Sequence, residues 1–91
     1  MGQTCYGIIS KSQYEVNRYY VYLPDPYCMS ASRTGHKYMI TNAIIQGKKV
    51  LDINILEFSS ISSIGILLTF ISEIDYSGYM LQVTYDYIII E

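Results

Sequence analysis

Four serines crowd one short stretch, Ser59, Ser60, Ser62 and Ser63. At the start of a helix, such hydroxyls accept hydrogen bonds from free backbone N–H groups. The same N–H groups and the helix dipole would stabilise an added phosphate or a bound anion. No glycine-rich phosphate loop accompanies them. Residue types alone leave two readings, phosphoryl acceptance or anion binding on one side and ordinary capping on the other.

Other chemistry-bearing residues are sparse. His36 is the single histidine. It has neither a ligand set nor a nucleophile in motif context, so metal and triad chemistry have no support. Asp52 and Glu57 would meet at the carboxyl end of a parallel strand, where α/β proteins bind ligands. A paired acid–base role needs opposed pKa shifts, and a strand-end cap or protein contact is the favoured reading of both. The tyrosines are the remaining signal. There are 11, and Tyr6, Tyr14, Tyr19, Tyr20, Tyr22 and Tyr27 fall in the N-terminal third. Tyrosine joins an apolar ring to a polar tip and is enriched at protein interfaces. The closing run Ile88-Ile89-Ile90-Glu91 reads as an exposed strand edge that invites pairing with another chain.

The elements expected to position these residues follow from periodicity. Residues 4–10 and 14–23 read as two strands of an antiparallel hairpin, the second rich in β-branched and aromatic residues. Gly7 weakens the first and marks a bulge or an edge. Pro24-Asp25-Pro26 ends the second strand. Met39, Ile40, Ala43 and Ile44 make a stripe that predicts a helix over about 32–46, capped by Ser30 or Ser32 and stopped by Gly47. Residues 49–56 alternate as a strand. Ile61, Ile64, Leu68 and Ile71, beside Leu67, Phe70 and Ile74, carry a helical period from Ser59 or Ser60 to about 75. Gly78 reads as its stop, and 79–90 as the last strand. The organising unit is therefore 48–83, read as strand, helix and strand joined by a right-handed parallel crossover.

Totals bound the class. The 91 residues make room for one domain, 1–91. Hydrophobic residues are 51% and charged residues 15%, which argues for a globular chain with a weakly charged surface. A net charge of -2 gives no electrostatic footprint for nucleic acid. Low charge favours a permanent partner or a homo-oligomer. No apolar run approaches the length of a bilayer span, and the first ten residues lack a signal peptide's basic start and apolar core. Cys5 and Cys28 are expected to be reduced thiols in the cytoplasm.

Val50-Leu51-Asp52, Glu57-Phe58, Gly65, Leu67-Leu68, Glu73, Gly78 and Leu81 resemble, without a gap, the core of the sulfate transporter and anti-sigma factor antagonist (STAS) domain. The resemblance spans roughly residues 4–84, with residue matches confined to the central part. It implies an α/β, β-β-α-β-α-β architecture, with a mixed four-stranded sheet and two helices packed on one face. It also implies a regulatory protein that docks a partner around the serine turn and main helix, over 58–75. Ser60 stands where that family has Asp, Ile61 where it has the phosphoacceptor Ser, and Ser63 where it has Gly. The match is thus to a degenerate form, without the phosphoacceptor motif and without the last helix.

The functional expectation is a non-enzymatic protein-interaction domain with a protein partner, no cofactor, no metal, no nucleic acid and no membrane contact. Partner-binding residues are expected at Ser59, Ser60, Ser62, Ser63, Tyr19, Tyr20, Tyr22 and Tyr27. The alternative is a small viral or mobile-element inhibitor or immunity protein that blocks a target through the Tyr-rich face or a free strand edge.

Overall fold

The computed structural model describes residues 3–23, 36–62 and 65–89. Pro24 to Gly35, including Tyr27, Cys28 and the expected cap at Ser30 or Ser32, lie outside the described residues, as does Ser63. Seven strands form in chain order: β1 (Gln3–Lys11), β2 (Arg18–Leu23), β3 (His36–Ile45), β4 (Lys49–Val50), β5 (Glu57–Ser62), β6 (Gly65–Ile71) and β7 (Met80–Ile89). They make one sheet in the order β4-β3-β7-β1-β2-β6-β5. Every pairing is antiparallel.

This overturns the α/β expectation. Instead of a mixed four-stranded sheet under two helices, the chain is a curled, antiparallel half-barrel. The STAS-like architecture and its parallel crossover are not the ones adopted. Residues 49–56 shrink to the two-residue β4, which pairs with β3 and not with β7. Asp52 then caps a 3-10 turn over Ile53–Ile55, its carboxylate accepting from Asn54 N at 2.9 Å.

Both expected helices are strands, and in the first of them a bulge imitates the helical period. In β3, Ile40 lies opposite Tyr85 and Asn42 opposite Thr84, so Thr41 is an extra residue. A bulge shifts side-chain parity by one. Ile40, Ala43 and Ile45 therefore all pack toward the core at spacings of three and two, which imitates a helical stripe. In β5, Phe58 lies opposite Leu68 and Ser60 opposite Leu67, which makes Ser59 the extra residue. The chain then reverses between Ser62 and Gly65, and β6 alternates regularly, with Ile66, Leu68 and Phe70 buried. The two glycines read as helix stops have positive φ, +70° at Gly47 and +86° at Gly78, but they serve turns between strands. Left-handed geometry suits either use.

The hairpin of β1 and β2 and the last strand form as expected. The terminal strand is not an edge, however. β7 is flanked by β1 and β3, and Ile88 and Ile89 lie opposite Lys37 and His36.

Distance requires the sheet to curl. Seven flat strands would separate the outer two by about 29 Å at the usual strand spacing. Val50 and Glu57, on those outer strands, are linked by a segment reaching at most about 25 Å even when extended. The 3-10 turn shortens that reach further. The concave side gathers the core: Cys5, Ile9, Tyr19, Val21, Leu68, Phe70, Leu81, Val83 and Tyr85 are among its buried residues. Gly7 lies at the seam where β1 stops pairing with β7 and starts pairing with β2. A Cβ there would stand 2.6 Å from Tyr22 O and 2.6 Å from Val21 Cγ1, so only glycine admits β2 this closely. Gly7 thus marks a close strand crossing and not a weak strand.

Cys5 is buried and disulfide-bonded, against the expectation of two reduced thiols. Burial alone would have suited a free thiol. The bond adds stability by restricting the unfolded chain, by typically about 2–4 kcal/mol.

Candidate functional site

The convex side of the sheet carries the site. Strand alternation sends Arg18, Tyr20 and Tyr22 outward from β2, while Tyr19, Val21 and Leu23 go to the core. Leu67, Thr69 and Ile71 continue this outer face on β6. Register sets Tyr20 beside Thr69, and Thr69 beside Glu57. One row therefore runs across three strands, about 10 Å from Tyr20 to Glu57 at ordinary strand spacing. Tyr22 lies beside Leu67 in the next row.

The β1–β2 turn overhangs this row. Ser12 N donates to Arg18 O at 2.9 Å and closes the hairpin. Ser12 Oγ accepts from Tyr14 N and Glu15 N at 3.1 and 3.2 Å. Asn17 takes a left-handed φ of 62°, which turns the chain into β2. Asparagine tolerates that geometry better than most residues. Arg18 Nε then reaches back to Glu15 Oε2 at 3.0 Å. These bonds hold Tyr14 out in solvent, 94% exposed.

Turn and sheet together enclose an open depression of about 590 Å³, lined by Ser12, Tyr14, Glu15, Arg18, Tyr20, Glu57, Ser59, Leu67 and Thr69. Tyrosine rings and Leu67 supply apolar surface. Glu57, Glu15 and the hydroxyls supply acceptors. Among the described residues, no basic group ion-pairs with Glu57, because Arg18 pairs with Glu15.

The expected site residues divide accordingly. Ser59 and Tyr20 meet in the depression, and Tyr22 borders it on the same face, 42% exposed against 41% for Tyr20. Tyr19 is on the opposite parity and is 1% exposed, stacked on Phe70 with ring centroids 5.4 Å apart. It is core and not a contact residue. Ser60 and Ser62 lie on β5, opposite Leu67 and Gly65. No helix starts at these serines, so neither the capping role nor a helix-terminal phosphate site exists there. Ser63 and Tyr27 fall outside the described residues.

Asp52 and Glu57 do not share a strand end, since Asp52 caps the 3-10 turn and Glu57 opens β5. His36 begins β3, with β7 and β1 between it and β2. No cluster of three or more His, Cys, Asp or Glu side chains suited to a metal occurs among the described residues. Tyr14, Glu15, Arg18 and Thr69 were not assigned from sequence. The shared parity of Tyr14, Arg18, Tyr20 and Tyr22 was the signal available for most of them.

The class that fold and site define is an antiparallel β half-barrel with an aromatic, acidic depression on its convex face. Comparison with family models, curated proteins and solved structures gives no match. Among the described residues no helix is long and apolar enough to cross a membrane.

Proposed function

We propose that this chain is a non-enzymatic protein-binding module whose partner docks on the convex face of β2, β6 and β5. One observation carries the reading. Tyr20 and Tyr22 stand side by side in sequence parity on a sheet face, each about two-fifths exposed, with Tyr14 above them. Tyrosine in such a setting offers large contact area at low conformational entropy, as in interface hot spots. The lining carries two carboxylates against one guanidinium, which disfavours nucleic acid. A module of this kind acts by occupancy and blocks or recruits its target as an inhibitor does. The bonded state of Cys5 supports an oxidising compartment over the cytoplasm.

The test places a photo-crosslinking residue at Tyr20 and, separately, at Met39, which is exposed on β3 at the far side of the sheet. In native-host lysate, the Tyr20 position is expected to give one stoichiometric protein adduct, and Met39 none. The adduct should disappear when Tyr22→Ala is added. Equal adducts at both positions, or none at Tyr20, would overturn the reading.

A further inference from the structure

The depression over β2, β6 and β5 has walls of two kinds. Tyr14, Tyr20 and Leu67 give it apolar surface, while its polar groups both donate and accept hydrogen bonds. Carboxylates such as Glu15 and Glu57 accept, and the Arg18 guanidinium donates. Ser59 and Thr69 can do either. Ser12 Oγ already accepts from Tyr14 N and Glu15 N, so what its hydroxyl adds is a donor. The bulge at Ser59 brings that serine into the lining on the same strand as Glu57.

A smaller depression of about 230 Å³ lies beside the first, lined by Arg18, Ile55, Glu57, Phe70 and Ile71. Arg18 and Glu57 line both, so a guanidinium and a carboxylate stand where the two meet. Arg18 Nε is fixed toward Glu15 Oε2 at 3.0 Å. A guanidinium has several N–H donors and a carboxylate has two accepting oxygens, so both can take a ligand while keeping other bonds.

This mixture matches a saccharide. A pyranose ring has an apolar C–H face and a rim of hydroxyls, each of them donor and acceptor. Its C–H groups are attracted to the negative face of an aromatic ring. Neighbouring hydroxyls are met in pairs by planar carboxylate and guanidinium groups. An aliphatic side chain would use only the rings, and a lysine mainly the carboxylates. The row from Tyr20 to Glu57 spans about 10 Å, the length of a disaccharide. The bonded state of Cys5 fits a compartment in which glycosylated proteins occur. We propose that the depression is a saccharide site, and that the docking partner is a glycoprotein that places its glycan over Tyr20 and against Glu57 and Arg18. This inference rests on the protein-binding reading and names what the partner presents.

Trisaccharides of mannose, of galactose and of N-acetylglucosamine test the idea. Each is titrated into the oxidised full chain while amide shifts are followed by NMR. A polyethylene glycol of matched length is the control, with ether oxygens but no ring of hydroxyls. At least one trisaccharide should shift the amides of Tyr20, Glu57 and Thr69 and leave Met39 unmoved, and the glycol should shift none of them. Tyr14→Ala, at a turn position 94% exposed, should weaken that binding about two- to tenfold through the lost ring. Glu57→Gln, which keeps the shape and loses the charge, should weaken it about tenfold. Failure of every trisaccharide to bind, equal shifts by the glycol, or unchanged affinity in both variants would overturn the proposal. A second arm strips glycans from native-host lysate before crosslinking at Tyr20. The adduct should then be lost, and in untreated lysate the bound trisaccharide should compete with it. If the adduct forms equally after glycan removal, the partner docks through its protein surface. In that event the saccharide inference falls while the binding reading stands.

Discussion

The half-barrel has two halves that share β1 and solve the packing problem differently. In the half made of β4, β3 and β7, the inward residues include Ala43, Ile45, Leu81, Val83 and Tyr85, with Cys5 opposite Val83. In the half made of β2, β6 and β5 they include Tyr19, Val21, Leu23, Ile66, Leu68 and Phe70. The first half packs small and branched side chains around a single buried tyrosine, Tyr85. The second relies on aromatic area: Tyr19 stacks on Phe70, and Phe70 meets Tyr76 with centroids 6.3 Å apart. The half with the aromatic core also bears the outward tyrosines Tyr20 and Tyr22. The proposed binding face is therefore backed by a buried aromatic layer, which supports an exposed surface without covering it.

The most damaging way to break this contrast is Phe70→Ala. Losing a fully buried ring and its two aromatic neighbours should destabilise the fold by about 3–5 kcal/mol. Chemical denaturation would measure it. Hydrogen exchange should rise first in β2, β5 and β6. A uniform rise across both halves would show that they unfold as one unit.

The second break targets the strand that the halves share. Reduction, or Cys5→Ser, should cost about 2–5 kcal/mol, the usual effect of removing a native disulfide from a small domain. Alkylation of the unreduced, unfolded protein should leave Cys5 unlabelled, and prior reduction should expose it. Labelling without reduction would show a free thiol and remove the support for an oxidising compartment.

How much of this was legible in the residues depends on the bulges. β1, β2 and β7 alternate without interruption where they pair, and their strands are readable directly. β3 contains one extra residue, Thr41, and the resulting spacing of three passes for a helical turn, whereas the stripe read over 61–74 combines residues of β5, β6 and the segment after it. Their β-branched content, in Ile40-Thr41 and in Ile61, favours strand, but the periodicity points the other way. A bulge is decided by the partner strand, so a single chain read alone cannot locate it. The site shows the same limit. Tyr20, Tyr22 and Ser59 were named for composition, and they lie on or beside one convex surface. Tyr19 was named with them and sits in the core, because parity and not residue type decides which side of a strand is buried. Glu57 was noticed as a strand-end carboxylate, yet its place beside Thr69 and Tyr20 depends on pairings that only the fold supplies.

The smallest expected effect concerns the connection between the halves after β6. Gly78 N donates to Ile9 O, and Ile9 N donates to Tyr79 O, both at 2.8 Å, so this loop ties β1 to the start of β7. Within it, Ser77 Oγ and Ser77 N both donate to Asp75 Oδ1, at 2.6 and 2.9 Å. The hydroxyl bond first, and the backbone bond second, hold the Asp75 carboxyl below its ordinary pKa. A carboxylate with a lowered folded pKa stabilises the fold fully above its unfolded value of 3.8 and loses that contribution as pH falls through the lower folded value. Asp75 is fully exposed, so solvent screens the effect and keeps it slight. Asp75→Asn retains an acceptor for Ser77 but cannot titrate. Its thermal midpoint should therefore fall less steeply than wild type between pH 4 and pH 2. Parallel slopes would mean that the loop tie does not depend on the carboxylate charge, and that the backbone bonds of Gly78 and Ile9 hold the loop without it.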